Sequence, residues 1–163
     1  MTSAFTIRSA RPSDTKTILE LIRQLAVYEK LLHEVTGDEA LLERHLFGPR
    51  PSAEVLIAER GGEPVGFALF FPTFSTFLAR PGIWLEDLFV VPEARGQGIG
   101  KALLTKVAEI AHERGCGRLE WTVLDWNEPA IGFYRKLGAV PMNDWTTYRL
   151  TGEALMKVAR QTR

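Results

Sequence analysis

Arg95-Gly96-Gln97-Gly98-Ile99-Gly100 stands between an apolar run, Trp84 to Val91, that reads as a strand and an amphipathic run from Lys101 that reads as a helix. Glycines at alternate positions leave no Cβ to hold a ligand off the backbone, and the first N–H groups of a helix have no partner within it. Strand, glycine loop and helix N-terminus in that order cradle an anion, with phosphate or pyrophosphate as the natural occupant. The spacing then sorts the known phosphate loops. A dinucleotide fingerprint needs G-x-G-x-x-G, and here the third glycine comes one residue early, with Lys101 in its place. A Walker loop needs G-x-x-x-x-G-K-[ST], but Arg95 stands where its first glycine belongs and Ala102 where its hydroxyl belongs. An ordinary strand-to-helix connection remains the plain alternative.

The flanks build an alternating pattern. Phe5 to Ser9 reads as a first strand, and Ser13 or Asp14 caps a helix with Ile18, Leu21, Ile22 and Leu25 on one face. Thr36 and Glu39 have capping-box spacing ahead of Leu41, Leu42 and Leu46, and Gly48-Pro49-Arg50-Pro51 stops that second helix. Val55 to Glu59 and Val65 to Phe71 flank Arg60-Gly61-Gly62-Glu63, a hairpin signal, and Pro92 ends the strand from Trp84. After the loop, Leu103, Leu104, Val107, Ala108 and Ala111 keep helical spacing to about Gly115, and Leu119 to Leu124 reads as a strand. Asn127 reads as an N-cap with Pro129 in the first turn of a helix carrying Ala130, Phe133, Tyr134 and Leu137 and ending at Gly138. Val140 to Met142 and Thr146 to Leu150 read as closing strands, with a short helix from about Glu153. Strands alternating with helices predict a mixed α/β sheet.

Composition narrows the function classes. A chain of 163 residues with 45% apolar and 25% charged residues suits one soluble domain spanning residues 1–163. Twenty basic residues balance twenty acidic ones, so no basic field supports nucleic-acid binding. Arg8 and Arg11 interrupt any leader-like segment and no long apolar run occurs, which predicts a cytoplasmic protein without a membrane partner. Cys116 is the single cysteine and has no histidine motif to activate it; together with His33, His45 and His112 it makes no metal spacing, so no metal is expected.

With these residues in view, R-x-x-G-x-G at Arg95 to Gly100 resembles the coenzyme A pyrophosphate loop of the GNAT superfamily of N-acetyltransferases. Trp84-Leu85-Glu86-Asp87-Leu88-Phe89-Val90 and Asp125 to Tyr134 resemble its diamine acetyltransferase branch, the spermidine/spermine N1-acetyltransferase-like enzymes, from about Ile7 through Leu155. Thr73 to Phe77, Pro92 to Gly100, Gly115-Cys116 and Val123 to Asn127 are more similar to the thialysine N-epsilon-acetyltransferases of that branch. The resemblance implies the GNAT fold: a twisted mixed sheet of about six to seven strands, flanked by helices and splayed at the coenzyme A site. It implies acetyl-CoA as cosubstrate, direct transfer to a small cationic amine in a ternary complex, and a homodimer.

Acetyl transfer from a thioester to an amine needs a neutral amine, a stabilised oxyanion and a proton for the departing thiolate. An alkyl ammonium with a pKa near 10.4 costs roughly 4 to 5 kcal/mol to hold neutral at pH 7, so a general base helps. The resemblance assigns Glu86 to the ammonium and, through water, to its proton, and Tyr134 to protonation of the thiolate. Strict alternation along a strand puts Glu86 and Asp87 on opposite faces, which leaves no close carboxylate pair and leaves Asp87 divided between a structural and a site role. Glu86 also reads as a solvated carboxylate and Tyr134 as a core aromatic. Backbone groups of Leu88, Phe89 and Val90 are expected beside the pantetheine arm and oxyanion. Gly96, Gln97, Gly98, Ile99, Gly100 and Lys101 are expected on the pyrophosphate, with charge from Arg95 or Lys101, and Asn127, Pro129 and Ala130 on the coenzyme. Tyr28, Glu29, Glu120, Trp121 and Thr122 match amine-side positions, a carboxylate and ring pair suiting a cation. Ser75 to Phe77 lacks the acidic residue and tryptophan typical of polyamine enzymes, which shifts the acceptor toward a lysine-like amine or smaller diamine. A noncatalytic acyl-CoA sensor and a peptide or protein N-acetyltransferase are the alternatives.

Overall fold

The computed structural model describes residues 4–161, which form two compact units divided after Leu124. In the first, strands β1 (Phe5–Ser9), β2 (Glu54–Arg60), β3 (Glu63–Ser75), β4 (Arg80–Val90) and β5 (Arg118–Glu120) lie side by side in sequence order. The first four are antiparallel and β5 runs parallel to β4. Gly61 and Gly62 both take positive φ, 60° and 85°, the two-residue turn whose twist suits a hairpin, as their sequence predicts.

The helices cover the two faces. Ile18, Leu21 and Leu25 of α1 (Thr15–Tyr28) and Leu46 of α2 (Glu39–Phe47) pack on Val55, Ile57, Phe67, Leu69 and Phe89. Helix α3 (Ile99–Glu113) packs against β3 and β4, burying Leu103, Leu104 and Val107. It starts two residues before the sequence reading placed it, directly after Gly98.

Two caps differ from expectation. Asp38, not Thr36, caps α2: its carboxylate accepts the Leu41 N–H at 2.8 Å, and a carboxylate is favoured at a helix N-terminus. Asp14 precedes α1 but makes no side-chain cap bond; it accepts the Arg11 N–H and two Arg8 N–H groups at 2.7 to 2.9 Å. Arg8 also grips Glu59 on β2, at 2.6 and 2.9 Å. This part-buried cluster ties β1, β2 and the start of α1 together. Arg8 holds the Asp14 carboxyl below its ordinary pKa, so the stability this contributes is present above the ordinary value and lost as pH falls through the depressed one. Arg8→Met is expected to lower stability by about 2 kcal/mol at pH 7, with a smaller deficit in acid, read by urea unfolding at two pH values.

The strand count is corrected from six or seven to five among the described residues. Leu119 to Leu124 shortens to Arg118–Glu120, and neither Val140 to Met142 nor Thr146 to Leu150 is a strand. Pro141 has no N–H to give a ladder, and β-propensity in a short segment is realised only against a neighbouring edge. The second unit, residues 125–161, contains α4 (Glu128–Lys136) and α5 (Gly152–Ala159). Asn127 caps α4 by accepting the Ala130 N–H at 3.4 Å, Pro129 lies in the first turn, and Gly138 follows at φ 87°.

Candidate active site

Strand β5 pairs with β4 only from Gly82 to Trp84, against Arg118, Leu119 and Glu120. Beyond Trp84, β4 continues to Val90 with β3 on one side and, among the described residues, no strand on the other. Leu88, Phe89 and Val90 lie on this splayed stretch, where every second pair of backbone groups faces outward and suits an extended ligand with amides of its own.

The glycine loop follows β4 after a 3₁₀ turn, Pro92–Ala94. Gly96 and Gly98 have φ of 74° and 82°, the left-handed region a side chain disfavours, and a Cβ on either meets no protein atom within 4 Å. The space a side chain would fill therefore stays open for a ligand. Gly98 precedes α3 and caps it with no side-chain bond, so the N–H groups of Ile99, Gly100 and Lys101 have no partner within the helix. Two arginines flank the loop. Arg60 donates Nη1–H to Gln97 Oε1 at 2.8 Å, a partnership sequence spacing does not reveal. Arg95 donates Nε–H to the Val90 carbonyl at 2.9 Å, and its guanidinium lies 4.8 Å from the Tyr28 ring centroid and 5.5 Å from that of Phe89.

The carboxylates are arranged by a β-bulge. Leu69 pairs with Asp87 and Phe70 with Leu85, which leaves Glu86 as an extra residue in β4. Paired residues share a face, so Leu85 goes with Phe70 while Asp87 goes with Leu69, on the side covered by α1. The bulge interrupts the strict alternation expected from sequence at Glu86, and the charge of Glu86 reaches Asp87. Burial first, then the charges of Glu86 and Glu29, push the Asp87 carboxyl up to about 7. Glu29 is itself raised by burial. Glu86 stays exposed and accepts Trp84 Nε1–H at 2.9 Å. The signal for the bulge was Leu85-Glu86-Asp87-Leu88, two adjacent acids across which the apolar positions change parity.

The first unit thus brings together Tyr28 at the end of α1, Glu29 as its C-cap, Glu86, Asp87 and Arg95. Glu120 ends β5 opposite Trp84, and Trp121 and Thr122 follow it. Asn127, Pro129, Ala130 and Tyr134 belong to the second unit, where the Tyr134 ring lies 5.4 Å from Phe133 on α4. Among the described residues, no group of three or more His, Cys, Asp or Glu is placed to hold a metal ion.

An α/β domain with an open sheet edge beyond Trp84, a glycine loop leading into a helix N-terminus and the raised Asp87 carboxyl on the same strand suits an extended anionic ligand. Residues 19–139 match the model of the Acetyltransferase (GNAT) family, and the chain belongs to that family. It is 43% identical to bovine (Bos taurus) thialysine N-epsilon-acetyltransferase, across 94% of this chain and 96% of the relative. It is 34% identical to L-ornithine N5-acetyltransferase from Arabidopsis thaliana, across 93% and 86%. Among solved structures, an integron cassette protein from the mobile metagenome of V. cholerae superposes with a TM-score of 0.81 at 27% identity, covering 99% of both chains. The protein is an acetyltransferase, and acetyl-CoA is the cosubstrate of its family.

Proposed function

We propose that the protein moves the acetyl group of acetyl-CoA directly to the primary amine of a small, lysine-like cation, with both units acting as one acetyltransferase domain. The coupled carboxylates at the β4 bulge carry this reading: they offer negative charge to an ammonium and one carboxyl titrating near neutrality to take its proton. Glu86 and Glu29 bind the ammonium, and Asp87 accepts the proton, directly or through water. Tyr134 gives a proton to the departing thiolate, since a phenol is protonated at neutral pH. The coenzyme supplies the acetyl thioester; Leu88, Phe89 and Val90 present backbone groups to its arm and to the oxyanion. Gly96 to Lys101 receive the pyrophosphate, the positive φ of Gly96 and Gly98 fitting an approach that a Cβ would block. The resemblance supports Asn127, Pro129 and Ala130 as coenzyme ligands and Tyr28, Glu120, Trp121 and Thr122 as amine ligands.

Relatives named for thialysine and ornithine support a lysine-like amine or small diamine as acceptor, as does the Ser75 to Phe77 segment without acid or tryptophan. Within the second unit, Val140, Met142, Trp145, Tyr148, Leu150 and Leu155 are exposed, apolar area that supports a homodimer. The balanced charge supports neither nucleic acid nor a charged lipid surface as partner, and among the described residues no helix is long and apolar enough to cross a membrane. A cytoplasmic location completes the proposal.

Gly98→Ala tests the cradle. Holding alanine at this φ costs roughly 1–2 kcal/mol and puts a methyl group into the ligand space, so the KM for acetyl-CoA is expected to rise about tenfold with the amine KM little changed. The acceptor is tested by competition among thialysine, lysine, ornithine, putrescine, spermidine and a lysine peptide, with acetylated products read by mass spectrometry. Preference for thialysine, lysine or ornithine supports the proposal. Preference for the peptide or for spermidine contradicts it.

A further inference from the structure

Arg95 stands at a junction. Its N–H closes the 3₁₀ turn on Pro92 O at 3.2 Å and its chain continues into Gly96, so its backbone begins the phosphate loop. Its side chain does something else. The guanidinium lies over Tyr28 and Phe89 while Nε holds the carbonyl at the end of β4, so one planar cation joins the last residue of α1 to the splayed strand. On the helix side the same corner is fixed by Glu29 N–H to Leu25 O and Leu31 N–H to Ala26 O, with Lys30 at φ 61° between them. The corner holds Glu29, whose charge reaches Asp87.

We propose that Arg95 is a positioning residue for the amine side of the reaction, clamping the Tyr28–Glu29 corner against β4, rather than a ligand of the coenzyme phosphates. The inference rests on the acetyltransfer reading above and sharpens it. The Tyr28 ring face under the guanidinium is taken, so the substrate cation is recognised by Glu29, Glu86 and Asp87 and not by that face. A planar guanidinium anchored at Nε and lying over two rings holds them in a way that a lysine ammonium does not reproduce.

The test is a double-mutant cycle of Arg95→Gln and Tyr28→Leu, read as kcat/KM and KM for thialysine and, separately, KM for acetyl-CoA. Each single change is expected to raise the amine KM about fivefold, and the double variant no further, because both remove one clamp. The acetyl-CoA KM and its salt dependence are expected to stay within about twofold of wild type, since no phosphate contact is lost. Arg95→Lys is expected to behave as Arg95→Gln, and it takes that variant's place in the cycle if Arg95→Gln fails to fold. Additive effects on the amine overturn the proposal, as does a raised acetyl-CoA KM with an unchanged amine KM. A wild-type protein that turns over none of the amines defeats the acetyltransfer reading instead. Calorimetry of thialysine binding with coenzyme A present then reads the same cycle, and additivity there again overturns the clamp.

Discussion

Asp87→Asn is expected to lower kcat/KM for the amine by about a hundredfold or more, the usual contribution of a positioned general base. It is also expected to remove the limb of the pH–rate profile near 7. Asp87 works as a base only when ionised, so wild-type activity rises with pH through about 7, the value to which burial and the neighbouring carboxylates bring it. Stability moves the other way. A carboxyl raised from its ordinary range favours folding fully below that range, and the advantage is lost as pH rises through the folded value. Above pH 7 the folded protein carries a largely buried carboxylate near two others, at a cost on the order of a few kcal/mol. Asparagine removes that charge, so the variant is expected to melt higher than wild type at pH 8 and nearly level with it at pH 4. An unchanged pH profile with full activity would sink the assignment. Glu86→Gln separates the pair: its expected effect falls on the amine KM, with the pH limb kept, because Glu86 is exposed and bonded to Trp84.

Tyr134→Phe is expected to lower kcat by about 10²- to 10³-fold while leaving both KM values within about threefold of wild type, since it removes one proton donor and no volume. The ring remains to pack near Phe133, so the melting temperature is expected to hold within about 2 °C. The contrast with Asp87→Asn is in the pH dependence: loss of the phenol lowers the whole profile, whereas loss of the carboxyl removes its acid limb. A Tyr134→Phe enzyme with full turnover contradicts the role of the phenol.

The parts of the fold written in local chemistry were legible. Gly61-Gly62 dictated the hairpin, Asn127 and Pro129 the start of α4, and the glycine loop the strand–helix junction. The parts that depend on neighbours were not. Whether Thr146 to Leu150 becomes a strand depends on an available edge, which the segment itself does not carry. Thr36 and Glu39 had the right spacing for a box, but Asp38 is nearer the first free N–H groups and ends the competition. At the site, resemblance points to Glu86 and leaves Asp87 divided between two roles, because strict alternation hides a bulge. One extra residue in β4 breaks the alternation, and the charge of Glu86 reaches Asp87. Arg95 shows the same limit in another form: its place in a phosphate motif is written in sequence, while the two rings it lies on come from α1 and β4.

The central claim, direct acetyl transfer to a small cationic amine, is tested most directly by following free thiol from acetyl-CoA with and without thialysine. The account predicts thiol release that requires the amine, saturates with it, and matches mole for mole an amide product carrying one acetyl group. Tight binding of acetyl-CoA with no thiol released by any amine, or release that proceeds equally without an acceptor, contradicts it.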